Sequence, residues 1–280
     1  MPSAIRDGRD LDTTSDAIDD APSPVNALRG KLWNEESEFD EGKDKAQFRD
    51  YDAACDRVKK FYKEQHEKQT MTFNIKARVD FKNRERVRMS VWEAMELLNT
   101  LVDESDPDTS VSQIEHLLQT AEAIRRDGKP EWMQFHRLMS LKDTFVVGCK
   151  FSDKIIYPDT FANNPDIHDP IYSTEYGIYQ PNCGLDNVML SWYLYNVLKD
   201  QCSLPEEGLA MIRYHSFYPW HRENAYSHIT NDKDTKILEA VRAFNPYDLY
   251  SKSDESCNPA TLRPYYESLI AKFFPSVIEW

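Results

Sequence analysis

Seven histidines are the residues of this chain best suited to acid–base chemistry or metal binding, at positions 66, 116, 136, 168, 215, 221 and 228. None of them forms an H-E-x-x-H pair, and no spacing among them indicates a Ser-His-Asp arrangement. The five cysteines are widely spaced without a C-x-x-C pair, which is typical of reduced thiols and not of a zinc site or a disulfide framework. Short motifs therefore assign no chemistry to this chain.

The positions of single histidines favour ordinary roles, since an isolated histidine is most often hydrogen-bonded or exposed. His66 lies in a polar, lysine-flanked stretch and is predicted to be solvated. His168 and His228 lie in polar loops, where a surface position is expected. His116 lies beside Thr120, off the apolar stripe of its expected helix.

Charge and glycine content exclude two classes of ligand. The 48 acidic side chains outnumber the 34 basic ones, so the formal charge is −14 and a nucleic-acid partner is excluded. Only 8 of the 280 residues are glycine, and they form neither of the glycine patterns that cradle phosphates. No apolar stretch is long enough to span a membrane, and the first residues lack an apolar signal region, so we expect no membrane partner and a cytoplasmic protein.

Helical patterns must position the candidate residues, because scarce glycine and apolar spacings of three and four both favour helices. We expect helices over about residues 44–68, 90–102, 110–128, 185–199, 205–218, 235–244 and 261–274. Ser90 and Glu93 form a capping-box pattern at the start of one of them. Residues 144–183 are rich in Pro and Asn, and we expect a long ordered loop there with at most two short strands, at 144–147 and 154–157.

The first residues differ in composition from the rest. Residues 1–44 hold 12 acidic and 5 basic side chains and few aromatic ones. Such a segment buries too little apolar surface to offset the entropy of ordering. We therefore expect a disordered acidic tail over residues 1–42 and one all-α domain over residues 43–280.

Several long strings carry more information than any short motif. They are LVDESDPD at 101–108, QTAEAIR at 119–125, YSTEYGIYQPNCGL at 172–185, MIRYHSFYPWH at 211–221, FNPYDLYSK at 244–252 and LRPYY at 262–266. In this order, and over about residues 43–280, the chain closely resembles the myo-inositol oxygenase family. The resemblance implies an all-α, HD-type helical fold that holds two irons and uses O₂ to cleave the ring of myo-inositol, giving D-glucuronate.

The resemblance also implies the site residues. His116, His215 and Asp248 would be metal ligands, and imidazole and carboxylate groups suit iron. The residues at polyol-binding positions would be Arg49, Asp103, Glu104, Ser105, Asp106, Asp143, Ser216 and Lys252. An uncharged polyol with many hydroxyls needs hydrogen-bonding side chains and no basic funnel, which agrees with the acidic composition. We expect a monomer with myo-inositol and O₂ as its partners.

Two segments of the family pattern are absent from this chain. Where the family continues from Trp132 to His-Asp-Leu-Gly-Lys, this chain reaches Lys142-Asp-Thr-Phe in ten residues. Where the family reads Ser-Trp-Gly-His-Asp-Glu-Tyr, this chain reads Ser191-Trp-Tyr. Three of the six expected ligands remain, and the aspartate that would bridge the irons is lost.

These losses leave alternatives open for the site and for the function. His136, one turn before the position of a lost histidine, is a candidate substitute, and the three remaining ligands match the two-histidine, one-carboxylate set of mononuclear iron oxygenases. The chain is then either an inositol oxygenase or a catalytically inactive isoform or incomplete gene product that acts as a polyol-binding or interaction scaffold. A chain that does not fold stably is a further alternative.

Overall fold

Helices make up most of the computed structural model, which describes residues 42, 51, 52, 54–100, 112–135, 144–191, 195–251 and 257–280. They are α1 (Asp56–Lys68), α2 (Met71–Lys82), α3 (Val91–Leu98), α4 (Gln113–Arg126), α5 (Tyr195–Lys199), α6 (Glu206–Tyr214), α7 (Tyr218–His221), α8 (Asp232–Tyr250) and α9 (Pro259–Phe273). Two short strands, β1 (Arg88–Met89) and β2 (Ile278–Glu279), pair antiparallel with Arg88 opposite Glu279. The all-α expectation is confirmed.

All of the described residues belong to one compact unit, Ser37–Trp280. The acidic tail predicted over residues 1–42 lies outside the described residues apart from Gly42 and stays a prediction. The five cysteines are free thiols, as expected. Within the part of the chain that the structure describes, no helix combines the length and apolar character needed to cross a membrane.

Helix starts follow local sequence signals closely. Ser90 caps α3 with its side chain while Glu93 bonds back to the Ser90 backbone, so the predicted capping box is confirmed. Ser112 caps α4 by accepting a hydrogen bond from the backbone of Glu115. Gly128 has a φ of 64°, in the left-handed region, and turns the chain away shortly after α4 ends. These signals involve neighbouring residues only, which is why the sequence reveals them.

Other helices differ from the prediction. Helix α1 begins at Asp56, and residues 51, 52, 54 and 55 before it are not helical, while residues 44–50 of the predicted helix lie outside the described residues. Helix α2 was not predicted at all, because only Met71 and Asn74 are buried on it. A distant residue anchors its first turn, since Asp166 Oδ2 accepts a hydrogen bond from the Met71 backbone at 2.6 Å. Helix α8 continues through Pro246 to Tyr250, so the prediction that it ends near residue 244 was wrong.

Residues 144–183 form a long ordered loop, as expected, and the loop continues to residue 191. It contains 3₁₀ turns at Pro158–Asn163, Pro165–His168 and Leu185–Asn187. The two short strands considered there are absent, and its ladder contact is an isolated bridge between Val146 and Leu190. Residues 185–191 are likewise not helical beyond that last turn, because the chain there bonds to residues far along the sequence.

Helix α4 is the central element of the fold. It is buried at His116 and at every position from Leu117 to Ile124, so the apolar stripe read from the sequence covers only part of its buried surface. One apolar cluster joins it to α3 and α9, with Leu118 and Leu269 among its members. Because α4 is enclosed, its polar side chains lie inside the protein.

Candidate metal and polyol site

His116 is an imidazole buried on the central helix without hydrogen-bond partners. The residue is 4% exposed, and neither Nδ1 nor Nε2 has a partner among the described residues. Buried polar atoms are normally paired, since leaving one unsatisfied costs about 1–3 kcal/mol. The two nitrogens of His116 therefore make this ring a candidate for binding a metal ion.

Thr120 and Ser251 connect the helix of His116 to the end of α8. The two hydroxyl oxygens lie 2.7 Å apart, and both residues have 0% exposure. Thr120 Oγ1 also donates to the backbone oxygen of His116 at 3.0 Å. Ser251 follows α8 directly, three residues after Asp248. The contact therefore links α4 one turn from His116 to α8 one turn from Asp248.

His215 lies at the end of α6 with its ring oriented by the backbone. It is 2% exposed, and Nδ1 lies 3.1 Å from the carbonyl oxygens of both Met211 and Ile212. An imidazole that donates from Nδ1 to a carbonyl carries its lone pair on Nε2, which is the usual arrangement of a metal-binding histidine. His221 Nε2 lies 2.7 Å from the carbonyl oxygen of His215 and further fixes this turn.

Asp248 is a buried carboxylate on α8 that is held from a neighbouring helix. The residue is 7% exposed, and Oδ2 accepts a hydrogen bond from Tyr218 Oη at 3.0 Å. Tyr218 begins α7, three residues after His215. The segment that carries His215 therefore also orients Asp248.

Ser216 is the one predicted polyol-binding residue that the structure describes. It is half-buried, its hydroxyl lies 3.2 Å from Thr144 Oγ1, and its backbone oxygen accepts from the Thr144 amide at 2.9 Å. The other predicted polyol-binding residues, together with His136, lie outside the described residues: Arg49, Asp103, Glu104, Ser105, Asp106, Asp143 and Lys252. Two of them are nonetheless direct neighbours of described site residues, since Asp143 precedes Thr144 and Lys252 follows Ser251.

The candidate ligands are of the types that iron binds, but they are too few to form a two-iron centre. His116, His215 and Asp248 are buried imidazole and carboxylate groups, and these suit iron. Within the described ranges, however, no three His, Cys, Asp or Glu side chains gather closely enough to hold a metal ion. These three residues therefore fit as members of a ligand set, and by themselves they do not complete a two-iron centre.

The residues that orient the candidate ligands were not predicted from the sequence. Thr120, Tyr218, His221 and Ser251 each bond to a candidate ligand or to its helix. Thr120 and Ser251 are one turn from His116 and Asp248, and this spacing was the available signal. The signal is weak, because it does not reveal which partner such a hydroxyl meets.

Comparisons with known proteins agree with the resemblance read from the sequence. The family model described as myo-inositol oxygenase matches residues 55–280. The chain is similar to an inositol oxygenase of Dictyostelium discoideum, at 43% identity over 272 residues, with 86% of this chain and 92% of the relative covered. It is also similar to inositol oxygenase 1 of Arabidopsis thaliana, at 44% identity over 261 residues, with 83% of this chain and 84% of the relative covered.

A vertebrate relative gives the same result, and the lengths of these alignments are informative. An inositol oxygenase of Danio rerio is 42% identical over 263 residues, with 85% of this chain and 95% of the relative covered.

The Dictyostelium alignment is 272 residues long, yet 86% of this 280-residue chain is fewer than 272 residues. That relative therefore has aligned residues that this chain lacks, as the two absent segments lead one to expect.

Proposed function

The chain belongs to the myo-inositol oxygenase family, and from that membership we propose its function: iron- and O₂-dependent cleavage of the myo-inositol ring to D-glucuronate. The observation that carries the proposal is the family match over residues 55–280, together with buried imidazole and carboxylate groups at the expected positions. Iron bound there supplies the activation of O₂ that amino-acid side chains do not provide. Monomeric, cytoplasmic behaviour remains part of the same proposal.

In this proposal His116, His215 and Asp248 hold the metal. His116 contributes a ring that has no other partner among the described residues. The carbonyl oxygens beside His215 Nδ1 keep Nε2 as the lone-pair nitrogen. Tyr218 donates to Asp248 Oδ2 and so holds one carboxylate oxygen of this residue in place. Each ligand is therefore oriented by a hydrogen bond or by burial before any metal binds.

The proposed binding of myo-inositol depends on side chains that form hydrogen bonds with its hydroxyl groups. Myo-inositol is uncharged, so it is bound by groups that both donate and accept hydrogen bonds. Ser216 offers such a hydroxyl one residue after His215, where it would face both substrate and metal. The predicted polyol-binding residues outside the described ranges complete this part of the proposal.

Iron content and product formation test the proposal directly. Purified chain is loaded anaerobically with Fe²⁺, desalted and assayed for iron per chain, and then for D-glucuronate after addition of myo-inositol and O₂. We expect bound iron and product for the unmodified chain, loss of both for His116→Gln, and neither loss for His168→Gln, an exposed histidine that serves as the matched control. Less than one tightly bound iron with no product contradicts the proposal.

A second candidate function is polyol binding without oxygenation, by an inactive isoform or an incomplete gene product. Two observations favour it: no three metal-binding side chains gather within the described residues, and the aligned relatives are longer over the matched region. Calorimetric titration of the metal-free chain with myo-inositol tests it. Saturable binding without iron uptake or product selects this candidate, and product formation eliminates it. Coding sequence for His-Asp-Leu-Gly-Lys immediately upstream of the Lys142 codon would identify the chain as an incomplete product.

A further inference from the structure

The hydroxyl pair of Thr120 and Ser251 has a role beyond packing. We infer that this pair positions His116 and Asp248 relative to each other, so that Thr120 and Ser251 are positioning residues for the candidate metal site. The inference rests on the proposed function and deepens it. Its basis is the 2.7 Å contact between two fully buried hydroxyls, one turn from His116 on α4 and one turn from Asp248 on α8.

The proton positions in this pair follow from the hydrogen bonds. A threonine hydroxyl has one hydrogen, and Thr120 Oγ1 donates it to the His116 backbone oxygen at 3.0 Å. Ser251 must therefore donate to Thr120 Oγ1. The result is a directed chain from Ser251 through Thr120 to the peptide of His116, which ties the end of α8 to the turn that carries this histidine.

Stability alone does not account for a hydroxyl pair at this place. Replacing both buried hydroxyls by apolar groups of the same shape would be nearly neutral in free energy. Hydrogen-bonded hydroxyls differ from apolar groups in fixing both distance and direction between two elements. Such precision matters at ligand positions, because hydrogen bonds made to and around metal-binding residues orient them and tune the affinity for the metal.

A second contact, from Tyr218, also positions Asp248. Tyr218 Oη donates to Asp248 Oδ2 at 3.0 Å, from the segment that also carries His215. The hydroxyl pair therefore joins α8 to α4, and Tyr218 joins α8 to α7. With both links in place, Asp248 is fixed relative to both candidate histidine ligands.

The test uses four variants of the full chain. Thr120→Val and Ser251→Ala remove one hydroxyl each, and Thr120→Ser keeps the hydroxyl while removing a methyl group. Thr160→Val is the matched control, because Thr160 also bonds through its hydroxyl to a buried side chain, His66, on other elements. Two quantities are measured for each variant: the ring nitrogen chemical shifts of His116 in the metal-free chain, and the affinity for Co²⁺ followed by its visible absorption.

We expect Thr120→Val and Ser251→Ala to move the His116 ring signals and to weaken Co²⁺ binding about 10-fold to 100-fold. Thr120→Ser should retain both properties, and Thr160→Val should lower the melting temperature without changing either. If the first two variants lower the melting temperature yet leave the His116 signals and Co²⁺ affinity as in the unmodified chain, the positioning role is overturned. If the unmodified chain does not bind Co²⁺, the proposed function fails, and the His116 signals still decide this inference.

Discussion

Two buried histidines, His66 on α1 and His116 on α4, lie in surroundings of opposite character. His66 is enclosed by aromatic rings: it stacks on Phe161 at 4.0 Å and meets Phe145 and Tyr62 edge-on at 5.3 and 5.8 Å. Its Nδ1 bonds to Thr160 Oγ1 at 2.6 Å. His116, by contrast, has two nitrogens without partners among the described residues and lies near the buried hydroxyls of the α4–α8 contact.

The difference separates a structural histidine from a ligand candidate. Burial lowers the pKa of His66 to about 4, so its ring stays neutral and acts as one more member of an aromatic cluster. Its Nδ1 donates to Thr160, because the Thr160 hydroxyl itself donates to the Tyr157 carbonyl oxygen at 2.7 Å. Nothing similar satisfies His116. Burial alone therefore does not separate the two residues, whereas His116 lacks partners on both ring nitrogens and His66 on Nε2 alone among the described residues.

The largest expected effect comes from removing the ring on which His66 stacks. Phe161→Ala deletes a side chain that is 4% exposed, and such truncations reduce the free energy of unfolding by about 3–5 kcal/mol. Urea denaturation measures the change. Phe73→Ala is the control, since Phe73 is 47% exposed and should cost far less. Equal costs for the two variants would contradict the view that the His66 region is a packed core.

The second-largest expected effect is a dependence of stability on pH that comes from His66. Its pKa falls from about 6.5 in the unfolded chain to about 4 in the folded one, so the unfolded chain binds the proton more readily. The contribution of the neutral His66 ring to the free energy of unfolding is therefore full above pH 6.5. It decreases by at most about 3 kcal/mol as the pH falls toward 4. Denaturation series from pH 7 to pH 4 should show this decline in the unmodified chain and a smaller one in His66→Phe. Parallel pH profiles would rule the effect out.

At the candidate site, the hydrogen bond from Tyr218 to Asp248 should contribute less to the free energy of unfolding than the packing of Phe161 does. Tyr218→Phe removes the donor at 3.0 Å, and leaving a buried acceptor oxygen without its donor costs about 1–3 kcal/mol of the free energy of unfolding. Tyr265→Phe is the matched control, because the Tyr265 hydroxyl is part-exposed and bonds only to a neutral amide oxygen, that of Gln134, at 3.3 Å. The control should cost less than about 1 kcal/mol in the same measurement.

The smallest expected loss of stability is at His116. In the metal-free chain, His116→Leu replaces an imidazole without described partners by an apolar group, so the free energy of unfolding should not decrease. His66→Leu should cost more, because it loses the Thr160 bond and the Phe161 stack. The same chemical denaturation compares them. A larger cost at His116 than at His66 would reverse the comparison.

Much of the fold could be predicted from local signals. The caps at Ser90 and Ser112 and the turn at Gly128 are each visible in a few neighbouring residues, and the helices they bound are present. Helix α2 was not predicted although Thr70 caps it locally, because only Met71 and Asn74 are buried on it and its apolar residues form no buried stripe. The candidate ligands depended on the family resemblance, since their spacing in the chain carries no motif.

The sequence by itself therefore determined the helical class, the family and the identities of the candidate ligands. The tertiary structure alone decided which histidines are enclosed: His66 was predicted to be solvated, and it is 1% exposed. It also decided which polar groups meet, as in the contact between Thr120 and Ser251, which are 131 residues apart. The physical reason is that local propensities act between neighbours, whereas burial and hydrogen-bond pairing depend on distant segments brought together by folding.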